Sequence, residues 1–297
     1  MENDDFQANI SDTQSYVDLS SIKLLIIFFD YVYRPFALPI LFLLGVFGNI
    51  VSIKCFLTRT DWNSTGRIYY LTLAVFDLLY LLSFTLPEWS GEGLYRITEE
   101  RIYFFPENTN QISCVSLRFF WHLSMFISTW TMVFYSAERM ISIAFPFLRQ
   151  KLLTIKNAKI ICWTLVIFGF LIFSPVLYSG IYLRHEDAMN LLPICYINWE
   201  VNLIVVAWFW FVVFFLTVLM SPIVLALNNL ILYVLLLYYF QKRAGMVANL
   251  SRGQANTTPV EVQRALDLIW LSIIMLAFTL PSMIWIVIFV QECMSCL

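Results

Sequence analysis

Six stretches of this chain are apolar over enough residues to cross a lipid bilayer, and nothing else limits its fold so strongly. They run Phe36 to Leu57, Ile68 to Pro87, Val115 to Phe145, Ile160 to Ile181, Val201 to Phe240 and Leu266 to Val290. A hydrocarbon core of about 30 Å takes about 20 helical residues. Within it each backbone N–H and C=O must be satisfied by the segment itself, so each run is expected to be an α-helix. Charged residues make up 13% of the 297, about half of the ~25% usual for a soluble domain. The expected architecture is an all-α membrane bundle over residues 36–290, between an extracellular segment 1–35 and an extracellular stub 291–297.

The fifth run is 40 residues long without a charge, about 60 Å as a helix. It reads either as a hairpin of two short spans turning at Ser221-Pro222 or as one helix. No residue polar enough for a headgroup region marks that turn, and a proline is tolerated in a membrane helix because neighbouring groups re-satisfy the freed carbonyl. One long kinked helix is the simpler reading.

Charge sets the orientation. Of the 18 lysines and arginines, 12 fall in alternate connections, from Lys54 and Arg59 to Arg252 and Arg264, and such segments face the cytoplasm. The opposite connections and the N-terminus hold 15 of the 20 acids, Glu88, Glu99, Glu100, Glu107, Glu186 and Asp187 among them. The outer mouth is therefore acidic and the N-terminus extracellular. The first residues are acidic, and Leu24 to Phe29 is too short for the apolar core of a signal peptide, so the first span is expected to be its own anchor. Four N-x-S/T sequons occur, and in this topology only Asn9 faces the glycosylating compartment.

The third run carries chemistry at both ends. Cys114 and Arg139 are 25 residues apart on it, with Glu138 beside the arginine, a separation of about 37 Å as helix. Independent motifs accompany it. Gly48-Asn49 stands in the first span and Leu73-Ala74-Val75-Phe76-Asp77 in the second; Glu138-Arg139-Met140 is followed by Ile143 and Pro146; Trp163 lies in the fourth span, and Pro222 and Pro281 in the fifth and sixth. In this order and spacing the chain resembles the rhodopsin-like, class A G protein-coupled receptors. It has the general look of their peptide-receptor branch, including the invertebrate FMRFamide-type receptors.

That resemblance implies several roles. Cys114 and Cys195 would form the disulfide tying the second outer loop to the third helix, in a compartment that permits one. Asp77 with Ser128 would bind an allosteric sodium ion; no other cofactor is implied. A carboxylate in mid-membrane is in any case a functional or packing feature by default. Glu138 and Arg139 would couple to a heterotrimeric G protein, with the arginine restrained by an acid on the sixth helix, here Glu261. Thr258-Pro259-Val260-Glu261 is also a capping box with proline at the first helical position, so both roles stay open for Glu261.

Two departures stand out. Thr279 takes the place of the tryptophan usual in the sixth span, and the chain stops at Leu297 without a seventh span or an N-P-x-x-Y motif. The expectation is six spans present and the seventh missing, as a fragment or a natural truncation.

Eighteen residues above Arg139, about 27 Å up the helix, Trp121 stands where amine receptors carry an aspartate, which argues against an amine ligand. Arg118, Trp121, His122 and Met125 recur at i, i+3, i+4 and i+7, one helical face. With an acidic mouth that concentrates cations and a long first outer loop, Glu88 to Ser113, Trp121 favours a basic neuropeptide. Arg118 could instead meet a peptide C-terminal carboxylate or amide, and lipid or odorant ligands stay open.

Rival classes fit less well. A transporter would show paired repeats with broken helices, and the two halves do not resemble each other. No span carries arginine at every third residue, which excludes a voltage sensor. Two histidines, His122 and His185, without a phosphate loop or metal spacing leave no basis for an enzyme. The expected setting is the plasma membrane, multi-pass, with lipid, ligand and G protein as partners and no nucleic acid.

Overall fold

The computed structural model describes residues 27–58, 65–98, 110–177, 181–184, 194–197, 211 and 213–249. Within them lie α1 (Phe29–Thr58), α2 (Thr65–Thr98), α3 (Gln111–Ala144), a short α4 (Pro146–Leu152), α5 (Ile155–Leu177) and α6 (residues 213–249). Strands β1 (Ile181–Arg184) and β2 (Ile194–Ile197) pair antiparallel between α5 and α6. The sixth apolar run lies outside the described residues, as do Asn9, Glu261, Thr279 and Pro281.

Helix α3 is the central strut. It packs against α2, α5, α6 and both strands, and its buried residues Phe119, Leu123, Phe126 and Ile127 form the main core with Leu165, Phe173, Val176 and Val213. It is also the polar helix, with Ser124, Ser128, Thr131, Ser136 and Glu138 all buried. Small and hydroxylated residues suit this position, because in lipid helices associate through close packing and interhelical hydrogen bonds. The outer helices show the reverse pattern. Among the described residues Leu43, Leu44 and Phe47 of α1, Trp163, Ile167 and Leu171 of α5, and Leu227 and Leu230 of α6 are exposed, an apolar surface of the kind that lipid or a neighbouring helix covers.

Helix α6 runs unbroken through Ser221-Pro222, so the hairpin reading does not hold. A π-helical stretch, Val213–Met220, precedes the proline. Pro222 has no N–H to give, and the carbonyl of Thr217 takes the Ser221 hydroxyl instead at 2.6 Å. The widened turn also leaves the Leu216 carbonyl to accept from Trp130 Nε1 of α3 at 3.2 Å. Further along, Asn228 Nδ2 donates to Val133 O at 3.4 Å and Ser136 Oγ to Asn229 Oδ1 at 3.3 Å.

Three extents differ from the apolar runs. Helix α1 is already helical at Ile27, well ahead of Phe36, because its interrupting charges are neutralised: Arg34 pairs with Asp30 at 2.8 Å and with Glu88 of α2 at 3.0 Å, and Arg96 pairs with Asp30 at 3.0 Å. Helix α2 continues to Thr98, with π-turns at Leu81–Thr85 and Trp89–Gly93 on either side of Pro87. The expected first outer connection, Glu88 to Ser113, is therefore helical up to Thr98 and again from Gln111, where Asn110 caps α3, its Oδ1 accepting from the Ser113 N–H at 2.8 Å. Helix α5 ends at Leu177, short of Ile181, which belongs to β1. This hairpin is the one departure from an all-α fold among the described residues. Its β-branched and aromatic residues, Ile181, Tyr182, Ile194 and Tyr196, suit a strand as well as a membrane span.

Candidate functional site

Three layers of α3 carry the residues of interest. At its N-terminal end Cys114, fully buried, is bonded to Cys195 of β2 with Cα atoms 5.6 Å apart. The bond fixes the hairpin against the top of α3, and Leu183 of β1 stands opposite Cys195.

Two turns further in, four rings line up across three helices. Phe84, within the first π-turn of α2, stacks on Trp121 at 4.4 Å; Trp121 stacks on His122 at 4.5 Å; His122 lies near-parallel to Phe173 of α5 at 6.2 Å. The Arg118 guanidinium sits 5.3 Å from the centre of the Trp121 ring, a cation–π distance. Trp121 Nε1 is buried without a hydrogen-bond acceptor among the described residues. The face predicted from the i, i+3, i+4, i+7 spacing thus exists but fans out: Trp121 turns to α2, His122 is buried towards α5, and Met125 borders the main core.

In mid-helix the Ser128 hydroxyl donates to Asp77 Oδ1 of α2. The pair offers a buried carboxylate and a hydroxyl oxygen, hard donors of the kind an alkali cation takes, so its donor chemistry fits sodium. No cluster of three His, Cys, Asp or Glu occurs among the described residues.

Towards the C-terminal end Glu138 is 5% exposed and accepts from the Thr65 hydroxyl at the start of α2. Arg139 lies with its guanidinium 4.8 Å from the Tyr135 ring centre and its Nη2 4.0 Å from Glu138 Oε1, the outer limit of an ion pair. Tyr135 in turn packs against Tyr69 and Tyr70.

The sequence reading missed Phe84, Thr65, Gly66 and the Asn228-Asn229 pair. The two asparagines could have been found, since amides inside an apolar run mark a helix contact by default. Phe84, Thr65 and Gly66 carry no such signal; their roles come from what α3 brings to them.

Residues 48–297 match the family described as 7 transmembrane receptor (rhodopsin family). A purinoceptor of Bos taurus is 28% identical over 170 residues, 54% of this chain and 41% of that protein. The lysophosphatidic acid receptor 6 of Homo sapiens is 27% identical over 175 residues, 57% of this chain and 46% of that protein. The type-1 angiotensin II receptor B of Rattus norvegicus is 28% identical over 155 residues, 51% and 40% of the two chains. The matched part spans less than half the length of each of these relatives.

Proposed function

The chain belongs to the rhodopsin family of seven-transmembrane receptors, and from that premise we propose that it binds an extracellular peptide among the outer ends of α2, α3 and α5 and activates a heterotrimeric G protein. It is a multi-pass membrane receptor and not an enzyme. The observation that carries the reading is that one buried helix holds a ring-and-guanidinium cluster near the outer face and Glu138-Arg139 at the inner one. A ligand in contact with Arg118 and Trp121 therefore presses on the element that ends in Arg139. The receptor sits in the plasma membrane with its N-terminus outside.

Arg118 beside the unsatisfied Trp121 N–H suits the C-terminal carboxylate or amide of a peptide. The body of that peptide is basic, drawn by the acidic outer residues, though not by Glu88, which Arg34 already neutralises. The peptide branch, FMRFamide-type receptors included, is the proposed placing within the family. A second reading follows from the same guanidinium: a phosphate-bearing ligand would pair with it equally well, and one relative is named for lysophosphatidic acid.

The test is nucleotide exchange in membranes of expressing cells, challenged in turn with basic peptides, free or amidated at the C-terminus, and with lysophosphatidic acid. Peptides should activate, and Arg118→Ala should lower their potency by roughly tenfold or more, the loss of a desolvated charge contact. Activation by the lipid alone would replace the peptide reading with the second one. Activation of the parent by peptides at a potency that Arg118→Ala leaves unchanged would remove Arg118 from the site.

Asp77 and Ser128 are proposed to hold sodium, which would bring a compensating charge to a carboxylate inside the membrane. Purified receptor should melt at higher temperature in sodium chloride than in choline chloride at equal ionic strength, and Asp77→Asn should erase the difference. A parent protein that is indifferent to the cation would end this reading.

A further inference from the structure

We propose that Thr65 and Gly66, the first residues of α2, are positioning residues that seat Glu138 and Arg139 in their resting arrangement, the missing side chain of Gly66 forming the seat of the guanidinium. The proposal rests on the G protein reading above and names a restraint on α2 for the pair that reading uses.

The ion pair alone does not define where Arg139 lies, because Nη2 stands at 4.0 Å from Glu138 Oε1. Glu138 faces α2 instead. It accepts from the Thr65 hydroxyl, 73 residues away in sequence. The carboxylate is thus tied across to α2 rather than only to its neighbour on α3.

The guanidinium is then confined by shape. Tyr135 supplies one wall, 4.8 Å from Cζ. Gly66 supplies the floor: a Cβ built there would lie 2.9 Å from Arg139 Nη2 and 3.4 Å from both Cε2 and Oη of Tyr135. No side chain larger than hydrogen fits while the arginine stays where it is. The first atom to give way would be the far end of a flexible side chain, not backbone. Alanine also favours a helix over glycine. Gly66→Ala should therefore leave the fold intact and unseat the guanidinium, which makes it a cleaner probe than removal of a charge.

Two readouts separate the seat from its consequence. In membranes, modification of Arg139 by phenylglyoxal, followed by mass spectrometry with exposed Arg149 as reference, reports where the guanidinium is. Gly66→Ala and Thr65→Val should each raise the Arg139 rate roughly threefold or more relative to Arg149, as expected when a minor state gains population. An unchanged rate in both variants would overturn the proposal whatever signalling does. Nucleotide exchange without ligand reports the restraint: it should rise in both variants at matched surface expression and return to background in Gly66→Ala/Arg139→Ala. Faster labelling with exchange present but unchanged would reduce Gly66 to a packing position and overturn the restraint. Faster labelling with no exchange from any form, the ligand-challenged parent included, would leave the seat standing and count against G protein activation itself.

Discussion

Cells expressing Cys195→Ser or Cys114→Ser should show the receptor retained inside, with little reaching the surface. The bond joins residues separated by 81 positions, and cross-links across long separations restrict the unfolded chain most; loss of such a bond costs about 2 to 5 kcal/mol in small secreted domains. Cys114 adds a second effect, because it lies in an apolar cluster with Phe119 and Val176, where a serine replaces an apolar sulfur by a hydroxyl that has to be desolvated. Cys195 anchors the strand pair that packs on α3, so its loss should also free those strands from the Cys114 end of that helix. Flow cytometry on an N-terminal epitope tag measures the surface fraction. Normal surface density together with normal ligand binding in Cys195→Ser would remove this role from the disulfide.

Arg139→Ala should abolish ligand-stimulated nucleotide exchange while ligand affinity changes little. The arginine lies about 27 Å from Trp121 along α3, so its removal does not touch the proposed ligand cluster, whereas it deletes the one cation that Glu138, Tyr135 and Gly66 surround. A charge whose release biases a two-state bundle can be lost without loss of binding, because binding reads the outer end and coupling reads the inner one. Full signalling at matched surface expression would discard this mechanism. The companion change Glu138→Gln keeps the shape but weakens the acceptor of Thr65, and it should raise ligand-independent exchange.

The ends of α3 were legible because cysteine and a Glu-Arg pair are rare in an apolar run, and a helix of known rise fixes their separation. Asp77 was legible for the same reason, and its serine partner followed from the family likeness. The reach of α1 ahead of Phe36 was not, because Asp30 and Arg34 break the apolar count although their charges cancel in a cluster with Glu88 and Arg96 of α2. The hairpin was hidden by its own composition, since Ile181 and Tyr182 resume the apolar character of the preceding run straight after Ser179-Gly180, a turn signal that an apolar count passes over. Thr65 and Gly66 were hidden more deeply. Glu138 lies 73 residues from Thr65, and no local pattern distinguishes a glycine that ends a loop from one that makes room for a distant arginine. Glu261 and Asn9 fall outside the described residues, and their roles rest on sequence alone.

The two asparagines of α6 limit how that helix can move. Asn228 and Asn229 address Val133 and Ser136 of α3 while Leu227, Leu230 and Ile231 around them face outward. Turning α6 about its own axis by one residue, about 100°, would carry an amide away from its α3 partner into an apolar surround, where an unsatisfied polar group costs several kcal/mol. The helix is keyed in azimuth below the widened turn. A bend at that turn, ahead of Pro222, moves the segment before it while Asn228 and Asn229 keep their α3 partners, so the two parts of α6 are separable: one hinged, the other indexed.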